Sequence, residues 1–303
     1  MIEQPSITIL DGPMGTELDR RGIDLPPPLW SASAIASAPQ AIESIHRDYA
    51  SAGASVHTAA TFRTQSRSSG ADWQRLTRQA IAITRRSVPS HHRVAGSLAP
   101  LEDCYRPDLS PANVSHARSS CLSEHRAMAD CLAEFGCDLI LCETFSHGGE
   151  AIIAVKAAVG TSVPTWLALT AGYDGSLMTP GEMSEIAKRV EQFGVDAILV
   201  NCTPATQTLR FVAALANANL SVPIGAYANA GHRDEGIGWE ESDNANQEDS
   251  ESVKQYVQLA RQWCDAGATI LGGCCGTGPA HIRGVSRMLE GDSDDSGEYG
   301  SGP

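Results

Sequence analysis

Two adjacent cysteines, Cys274 and Cys275, lie in a glycine-rich segment near the end of the chain. Adjacent side chains on an extended strand point to opposite faces, so both thiols can reach one metal ion only if the backbone leaves β geometry. The glycines on either side of the pair permit that change. A third cysteine, Cys202, would complete a set of three thiolates, which with one open position is the form expected of a catalytic zinc site.

Two other interpretations of the paired cysteines stay open, a vicinal disulfide and buried apolar side chains. The nine cysteines form no short, regular framework, so we expect reduced thiols in a cytoplasmic protein rather than a disulfide-stapled secreted domain. Free cysteine often behaves as a small buried hydrophobe, and we expect that structural role for the remaining six. These six are Cys104, Cys121, Cys131, Cys137, Cys142 and Cys264.

Two carboxylates, Asp11 and Glu143, each follow a short apolar run. If each run is a strand, both carboxylates stand at a strand end, where barrels of parallel strands carry their reactive groups. We therefore expect both to belong to a functional site. The alternatives are a helix cap for Glu143 and an Asx turn for Asp11, which precedes Gly12.

These residues are far apart in sequence, so the fold must bring them together. Eight short runs rich in β-branched residues each precede a segment with helical periodicity. The runs cover residues 7–10, 55–58, 93–95, 139–141, 165–169, 197–200, 223–227 and 269–271. This alternation favours an α/β fold, the (β/α)8 TIM barrel, in which the carboxyl ends of the strands share one rim. An open doubly wound sheet is the competing fold, but the turn after the first run lacks the three-glycine spacing of a dinucleotide site.

The barrel is predicted to occupy residues 1–287 as one domain, followed by an acidic, disordered tail over residues 288–303. The formal net charge is −14, from 22 basic and 36 acidic side chains, and this balance argues against a nucleic-acid partner. Much of the acid lies in the tail and in residues 232–251, which we interpret as a solvated loop. No apolar run is long enough to span a membrane, and the first residues lack the pattern of a secretion signal.

Four segments carry a resemblance to a known family: residues 11–18 (DGPMGTEL), 143–145 (ETF), 200–202 (VNC) and 272–277 (GGCCGT). In this order they resemble the homocysteine S-methyltransferase family, and the resemblance covers residues 7–287. It implies a zinc-dependent barrel enzyme that methylates the thiol of homocysteine to give methionine. It also implies that no catalytic residue is needed beyond the zinc site.

The resemblance assigns the ligand-binding residues as well. Asp11 and Glu143 would hold the ammonium group of homocysteine, while the backbone around Gly12 and the hydroxyl of Thr61 would meet its carboxylate. Asn201, in the third matching segment, is assigned to the same substrate site. The ligands of Zn²⁺ would be Cys202, Cys274 and Cys275.

Two positions depart from the family pattern. Pro13 stands where many relatives have a second glycine, and this change removes one backbone N–H near the carboxylate site. Ala60 precedes Thr61 where relatives often carry asparagine. Neither change touches the zinc ligands, but both leave the identity of the thiol substrate open.

The methyl donor that best matches a single-domain chain is a sulfonium compound, S-methylmethionine or S-adenosylmethionine, because folate-dependent relatives add a second barrel. Betaine users enclose a quaternary ammonium, a task suited to aromatic rings. The candidates for an aromatic mouth are Trp30, Phe62, Tyr105, Phe145, Tyr173 and Tyr227. Three other functions stay open: a betaine-dependent enzyme, a zinc-thiolate alkyltransferase acting on another thiol, and a non-catalytic barrel that binds zinc and thiols. The sequence also permits a homo-oligomer.

Overall fold

The computed structural model describes residues 7–230, 237 and 250–294. Its strands, in chain order, are β1 (Thr8–Ile9), β2 (Val56–Ala59), β3 (Arg93–Leu98), β4 (Leu139–Phe145), β5 (Thr165–Leu169), β6 (Ala197–Pro204), β7 (Ile224–Asn229) and β8 (Ala268–Gly273). Its α-helices are α1 (Met14–Arg20), α2 (Ala34–Ser37), α3 (Pro39–Ser51), α4 (Ser66–Ser69), α5 (Trp73–Ser87), α6 (Arg118–Glu134), α7 (Gly148–Val159), α8 (Pro180–Glu191), α9 (Ala205–Asn217), α10 (Glu251–Asp265) and α11 (Pro279–Asp294).

All eight strands pair in parallel within one sheet, in the order β1-β8-β7-β6-β5-β4-β3-β2. Thr8 of β1 pairs with Ile270 of β8, and a parallel bridge from Leu10 to Val56 joins the end of β1 to β2. The sheet therefore closes on itself, with the helices between successive strands. This arrangement confirms the predicted (β/α)8 barrel and all eight predicted strands.

Apolar side chains fill both faces of the sheet. Inside the barrel, Val56, Leu141 and Leu199 belong to one buried cluster. Outside it, Ile45 of α3 and Phe211 of α9 are fully buried between the strands and the helices. Because both faces are covered, strands such as β4 read as continuous apolar runs. Each Leu, Ile or Phe buried in this way contributes about 1.5–3 kcal/mol, and the two layers together fix the positions of the strand ends.

The last helix, α11, extends into the region predicted as a tail (288–303). Met288 is buried, and Leu289 packs against the outer core, so the helix continues to Asp294. The prediction of disorder from residue 288 onward is therefore corrected at its beginning, because apolar packing holds the first residues of that segment. Residues 295–303 lie outside the described part of the chain.

The predicted acidic loop, residues 232–251, also lies almost wholly outside the described residues. Ile237 is an exception: it is buried, and its carbonyl accepts a hydrogen bond from Nε2 of His281 on α11 at 2.9 Å. In the part of the chain that the structure describes, no helix is long and apolar enough to cross a membrane.

Candidate active site

A cavity of about 560 Å³ opens at the carboxyl ends of the strands, the face where (β/α)8 enzymes carry their active sites. Most of the predicted site residues line it: Asp11, Gly12, Glu143, Cys202, Cys274 and Cys275. The structure thus brings together side chains from both ends and the middle of the sequence. The remaining two predicted residues, Thr61 and Asn201, do not line the cavity.

The three predicted metal ligands meet at one side of the cavity. Cys202 lies near the end of β6, and Cys274 and Cys275 directly follow β8. Their Sγ atoms lie within 4.8 Å of one another. The Sγ atoms of Cys202 and Cys274 are bonded as a disulfide, with the Cα atoms 5.7 Å apart, and Cys275 is free. The disulfide therefore joins Cys202 to Cys274. It does not join the adjacent Cys274 and Cys275, the vicinal pairing that the sequence left open.

The backbone of Cys202 has an unusual conformation. Its φ angle is 45°, in the left-handed region that costs a residue with a side chain about 1–2 kcal/mol. The carbonyl of Cys202 accepts hydrogen bonds from the Thr170 hydroxyl at 3.2 Å and from Nδ2 of Asn229 at 3.3 Å. These donors stand at the ends of the neighbouring strands β5 and β7, and they hold this conformation in place.

The segment with the paired cysteines is tied to the first helix of the chain. The Thr16 hydroxyl of α1 accepts a hydrogen bond from the N–H of Gly276 at 3.1 Å. Arg20, also on α1, donates to the carbonyls of Gly276 and Thr277 at 2.8 and 2.9 Å. The Thr277 hydroxyl in turn donates to the carbonyl of Cys274 at 2.8 Å. Gly276 has a φ of 82°, which glycine adopts readily, so the chain leaves β geometry here as expected.

Both carboxylate oxygens of Glu143 have hydrogen-bond donors. The Ser97 hydroxyl of β3 donates to Oε1, and the Tyr227 phenol of β7 donates to Oε2 at 3.0 Å. Burial raises the pKa of Glu143, and these two hydrogen bonds oppose that rise. A buried carboxylate of this kind gains strongly from a cationic ligand, because the ligand's charge replaces the solvation that burial removes.

Asp11 follows β1 and is 3% exposed. Its carboxylate accepts hydrogen bonds from the Thr58 N–H at 2.8 Å and from the Thr58 hydroxyl at 3.1 Å. Burial raises the pKa of Asp11 well above its usual range, against the lowering effect of Thr58, and the negative charge of Glu143 raises it further. Two acids that repel each other in one cavity favour a ligand with a positive group, such as an ammonium.

Gly12 presents its backbone to the cavity because no side chain fits at this position. A Cβ atom there would lie 2.6 Å from atoms of the Tyr49 side chain. The Tyr49 hydroxyl donates to the carbonyl of Pro13 at 3.2 Å, which fixes the ring beneath the turn. Pro13 has no N–H to offer a ligand, so a carboxylate bound at this turn must use other donors.

Thr61 and Asn201 support the backbone rather than the cavity. The Thr61 hydroxyl donates to the carbonyl of Ser97 at 2.9 Å and accepts from its N–H at 2.8 Å. Asn201 accepts from the N–H of Thr144 at 3.2 Å and donates to its hydroxyl at 2.8 Å. Neither side chain lines the cavity, and their contacts with a substrate stay a prediction. Thr61 ties the end of β2 to β3, and Asn201 holds Thr144, whose φ is 64°, directly after Glu143.

Three polar residues of the cavity wall were not expected from the sequence. Arg63 follows β2, while Asp103 and Cys104 follow β3, and all three line the cavity. Burial raises the pKa of the Cys104 thiol to about 12, so this thiol stays protonated at neutral pH. Cys104, expected to be purely structural, thus lies at the site. Its position after a strand was the one signal available in the sequence.

Aromatic rings form another part of the wall. The candidates that line the cavity are Trp30, Phe62, Tyr105 and Tyr227. Phe145 is fully buried in the outer core instead, and Tyr173 packs edge-on against Tyr105 with ring centroids 6.0 Å apart. Trp30 is 53% exposed, which places it at the mouth. Aromatic faces attract cations, so this part of the wall suits a positively charged ligand.

The sequence has relatives that match it over nearly its whole length. A family model described as homocysteine S-methyltransferase matches residues 8–289. Homocysteine S-methyltransferase 4 of Zea mays is 31% identical over 325 residues, covering 97% of this chain and 92% of the relative. Selenocysteine methyltransferase of Astragalus bisulcatus is 27% identical, over 93% of this chain and 92% of the relative.

Solved structures agree with the fold. The homocysteine methyltransferase MmuM from Escherichia coli, in its metallated form, superposes with a TM-score of 0.76 at 24% identity, over 94% of this chain and 97% of that one. Its oxidized form gives a TM-score of 0.74 at 23% identity. Because the family model spans the entire barrel from β1 to α11, this chain belongs to the homocysteine S-methyltransferase family.

Proposed function

We propose that this protein transfers a methyl group from a sulfonium donor to the thiol of homocysteine, giving methionine, with Zn²⁺ held by Cys202, Cys274 and Cys275. The observation that carries the proposal is that three clustered cysteine sulfurs share one cavity with two buried carboxylates, Asp11 and Glu143. Thiolates can hold the metal that activates a sulfur nucleophile, and buried carboxylates can hold an ammonium group. Homocysteine has a thiol and an ammonium in one molecule, so it matches both halves of the cavity.

In their reduced form the three cysteines fit zinc in chemistry and number. Zinc–sulfur bonds of about 2.3 Å place the sulfurs of a tetrahedral site about 3.8 Å apart, and the three Sγ atoms, within 4.8 Å of one another, can take up that spacing once the Cys202–Cys274 disulfide is reduced. A cellular dithiol must first reduce the Cys202–Cys274 disulfide to two thiols, supplying two electrons and two protons and becoming a disulfide itself. We therefore assign the reaction to the cytoplasm, where thiols stay reduced. Bound zinc would remove the proton of the incoming thiol and so supply a thiolate nucleophile.

The chain's own residues orient the amino acid. Asp11 and Glu143 bind its ammonium, because this group relieves the cost of two buried negative charges in one cavity. The open backbone at Gly12 lines the same cavity and would meet the carboxylate. With the amino-acid end held at these residues, the side chain of homocysteine extends toward the cysteines.

The transfer exchanges one carbon–sulfur bond for another. The homocysteine sulfur forms a bond to the methyl carbon while the bond from that carbon to the donor sulfur breaks. The bonding electrons leave with the donor sulfur, which changes from a sulfonium cation to a neutral thioether, and the thiol proton passes to solvent. The aromatic wall at Trp30, Phe62 and Tyr105 favours a cationic donor over a neutral one.

Formation of methionine from homocysteine tests the proposal directly. The reduced, zinc-loaded protein is incubated with homocysteine and one of four donors: S-methylmethionine, S-adenosylmethionine, betaine or methyltetrahydrofolate. We expect turnover with a sulfonium donor and none with the folate. Turnover with betaine alone would replace the proposed donor, and binding of zinc and homocysteine without any turnover would support a non-catalytic barrel.

A second acceptor is worth including in the same assay. A selenocysteine methyltransferase is among the relatives, and Pro13 changes the turn beside the carboxylate site. Homocysteine, cysteine and selenocysteine are therefore compared at equal concentration with the best donor. We expect the highest kcat/KM with homocysteine, and a higher value with selenocysteine would reassign the acceptor.

A further inference from the structure

Two opposite charges, Arg63 and Asp103, stand on the wall of the cavity without pairing to each other. Both line it, on the loops that follow β2 and β3. The Arg63 guanidinium lies 5.2 Å from the centre of the Phe62 ring, and its Nη1 donates a long hydrogen bond, 3.5 Å, to the carbonyl of Glu102. Asp103 accepts from the N–H of Tyr105 at 2.9 Å. Among the described residues, neither side chain has an ion-pair partner.

An arginine with this many unused donors suits a carboxylate ligand. Its planar guanidinium offers five N–H groups, and two of them can bind both oxygens of one carboxylate. Asp103, in turn, can accept a hydrogen bond from an ammonium group. A free amino acid carries both groups on one carbon. We propose that Arg63 and Asp103 bind the carboxylate and the ammonium of an amino-acid methyl donor, and this inference rests on the proposed function.

The two pairs of residues differ in burial, and this difference distinguishes the binding site of the methyl donor from that of the acceptor. Asp11 and Glu143 are 3% and 9% exposed, whereas Asp103 is exposed and Arg63 is half-buried. The buried pair therefore marks the inner end of the cavity and the Arg63–Asp103 pair marks its outer part. Homocysteine takes the inner site, which shares the cavity with the cysteines. The second amino acid must enter after it, from the outside.

The space and the wall between the two sites suit a sulfonium. A volume of about 560 Å³ is within the usual range for small-molecule sites, about 300–1,000 Å³, and leaves room for two small amino acids. Phe62 and Tyr105 line the cavity next in sequence to Arg63 and close to Asp103. Their rings can stabilise a positive charge on the donor sulfur. The outer site thus has a partner for each charge of S-methylmethionine.

The loop that carries Asp103 is held in place before any ligand arrives. Glu150 of α7 accepts hydrogen bonds from the N–H of Leu101 at 2.8 Å and from the Ser110 hydroxyl at 2.5 Å. A third contact, from Nε2 of His125, is 3.2 Å long. The residues on both sides of Asp103 are therefore anchored to one buried carboxylate. This arrangement reduces the entropy lost when the donor binds.

The test compares Arg63→Gln and Asp103→Asn with the wild type, using the methionine assay and separate titrations of homocysteine and donor. Loss of a charged hydrogen-bond partner costs about 1.5–3 kcal/mol, so Arg63→Gln should raise the KM for S-methylmethionine about ten- to a hundredfold. Asp103→Asn should raise it less, because the site is exposed. The KM for homocysteine should not change. Arg75→Gln is the matched control, since Arg75 pairs with exposed Asp72 and does not line the cavity.

Changes in the donor separate the two contacts. Dimethylsulfoniopropionate has a sulfonium and a carboxylate but no ammonium, so Arg63→Gln should impair its use while Asp103→Asn should not. S-Adenosylmethionine retains both amino-acid groups and should respond as S-methylmethionine does. Arg63→Lys, which keeps the charge, should recover part of the lost affinity.

Two outcomes would overturn the inference. One is an equal rise in the KM for homocysteine and for the donor in Arg63→Gln, which would place Arg63 at the acceptor site or in a structural role. The other is an unchanged KM for every donor. Both outcomes presuppose an active wild type. A folded, zinc-loaded wild type that turns over no donor would instead refute the proposed function, and this inference with it.

Discussion

The phenol of Tyr227 donates a hydrogen bond to Oε2 of Glu143 at 3.0 Å, from β7 to β4 across the mouth of the barrel. The Ser97 hydroxyl binds the other oxygen from β3. Because both oxygens are held, the carboxylate cannot rotate away from the cavity when no ligand is present. The orientation of the proposed ammonium site is therefore set by three strands rather than by Glu143 alone.

Tyr227→Phe removes one of these two bonds and keeps the ring. We expect the KM for homocysteine to rise about two- to tenfold, a cost of about 0.4–1.4 kcal/mol, because the carboxylate keeps its bond to Ser97 but becomes less well oriented. The zinc content should stay at that of the wild type. Steady-state kinetics and metal analysis of the same preparation check this, and a parallel fall in zinc would instead indicate a role in folding of the site.

Asn201→Ala should destabilise the turn after Glu143 without opening the cavity. It leaves the N–H of Thr144 without its partner, and an unpaired buried donor lowers the free energy of unfolding by about 1–3 kcal/mol. Adding Thr144→Gly should restore about 1 kcal/mol, because glycine has no strain at positive φ. Urea unfolding of the single and double variants measures both values. A double variant less stable than Asn201→Ala would contradict the strain that we infer at Thr144.

Cys275→Ser should abolish tight binding of zinc. The change removes one of the three proposed thiolate ligands, and a serine hydroxyl is a poor ligand for zinc. Metal analysis after dialysis against a weak chelator should give about one zinc per chain for the reduced wild type and almost none for the variant. Cys264→Ser, on α10 away from the cavity, is the control and should keep its zinc. Full zinc retention in Cys275→Ser would remove the metal-site assignment.

Buried histidines predict a loss of stability in acid. Burial lowers the pKa of His46 to about 3 and the pKa values of His57 and His281 to about 4, whereas an unfolded histidine has a pKa of about 6.5. The unfolded chain therefore binds more protons between about pH 4 and pH 6.5, and the free energy of unfolding falls as the pH falls through this window. Urea unfolding of the reduced protein at several pH values measures the slope.

A single substitution isolates one contribution to that slope. His46→Gln should reduce the pH dependence by about one proton, because the variant has one fewer group to protonate on unfolding. His116→Gln changes an exposed histidine and should leave the slope unchanged. Equal slopes for wild type and His46→Gln would show that His46 is not held neutral in the fold.

The residues that sequence predicted well are those whose place follows from the barrel alone. Asp11, Glu143 and the Cys274–Cys275 pair stand at strand ends, and parallel strands in a closed barrel bring all such ends to one rim. Cys202 was found for the same reason. The helices and the eight strands could be predicted equally well, because their apolar patterns reflect burial on one or both faces.

The direction of a side chain at a strand end could not be predicted from the sequence in this way. Asn201 and Thr61 lie in the expected segments, and their polar atoms form hydrogen bonds with Thr144 and Ser97, contacts that the sequence did not predict. The left-handed φ of Thr144 decides where the backbone needs support, and such a local angle leaves no pattern in the sequence. Arg63 was missed because its environment depends on two loops that meet only in the folded barrel.

The ties from Thr16 and Arg20 to the segment after Cys275 join the first helix to the last strand. During synthesis, α1 is made more than 250 residues before that segment, so the anchor is already present when Cys274 and Cys275 are added. A truncated chain that lacks β8 and the segment after it therefore cannot bring Cys274 and Cys275 to Cys202.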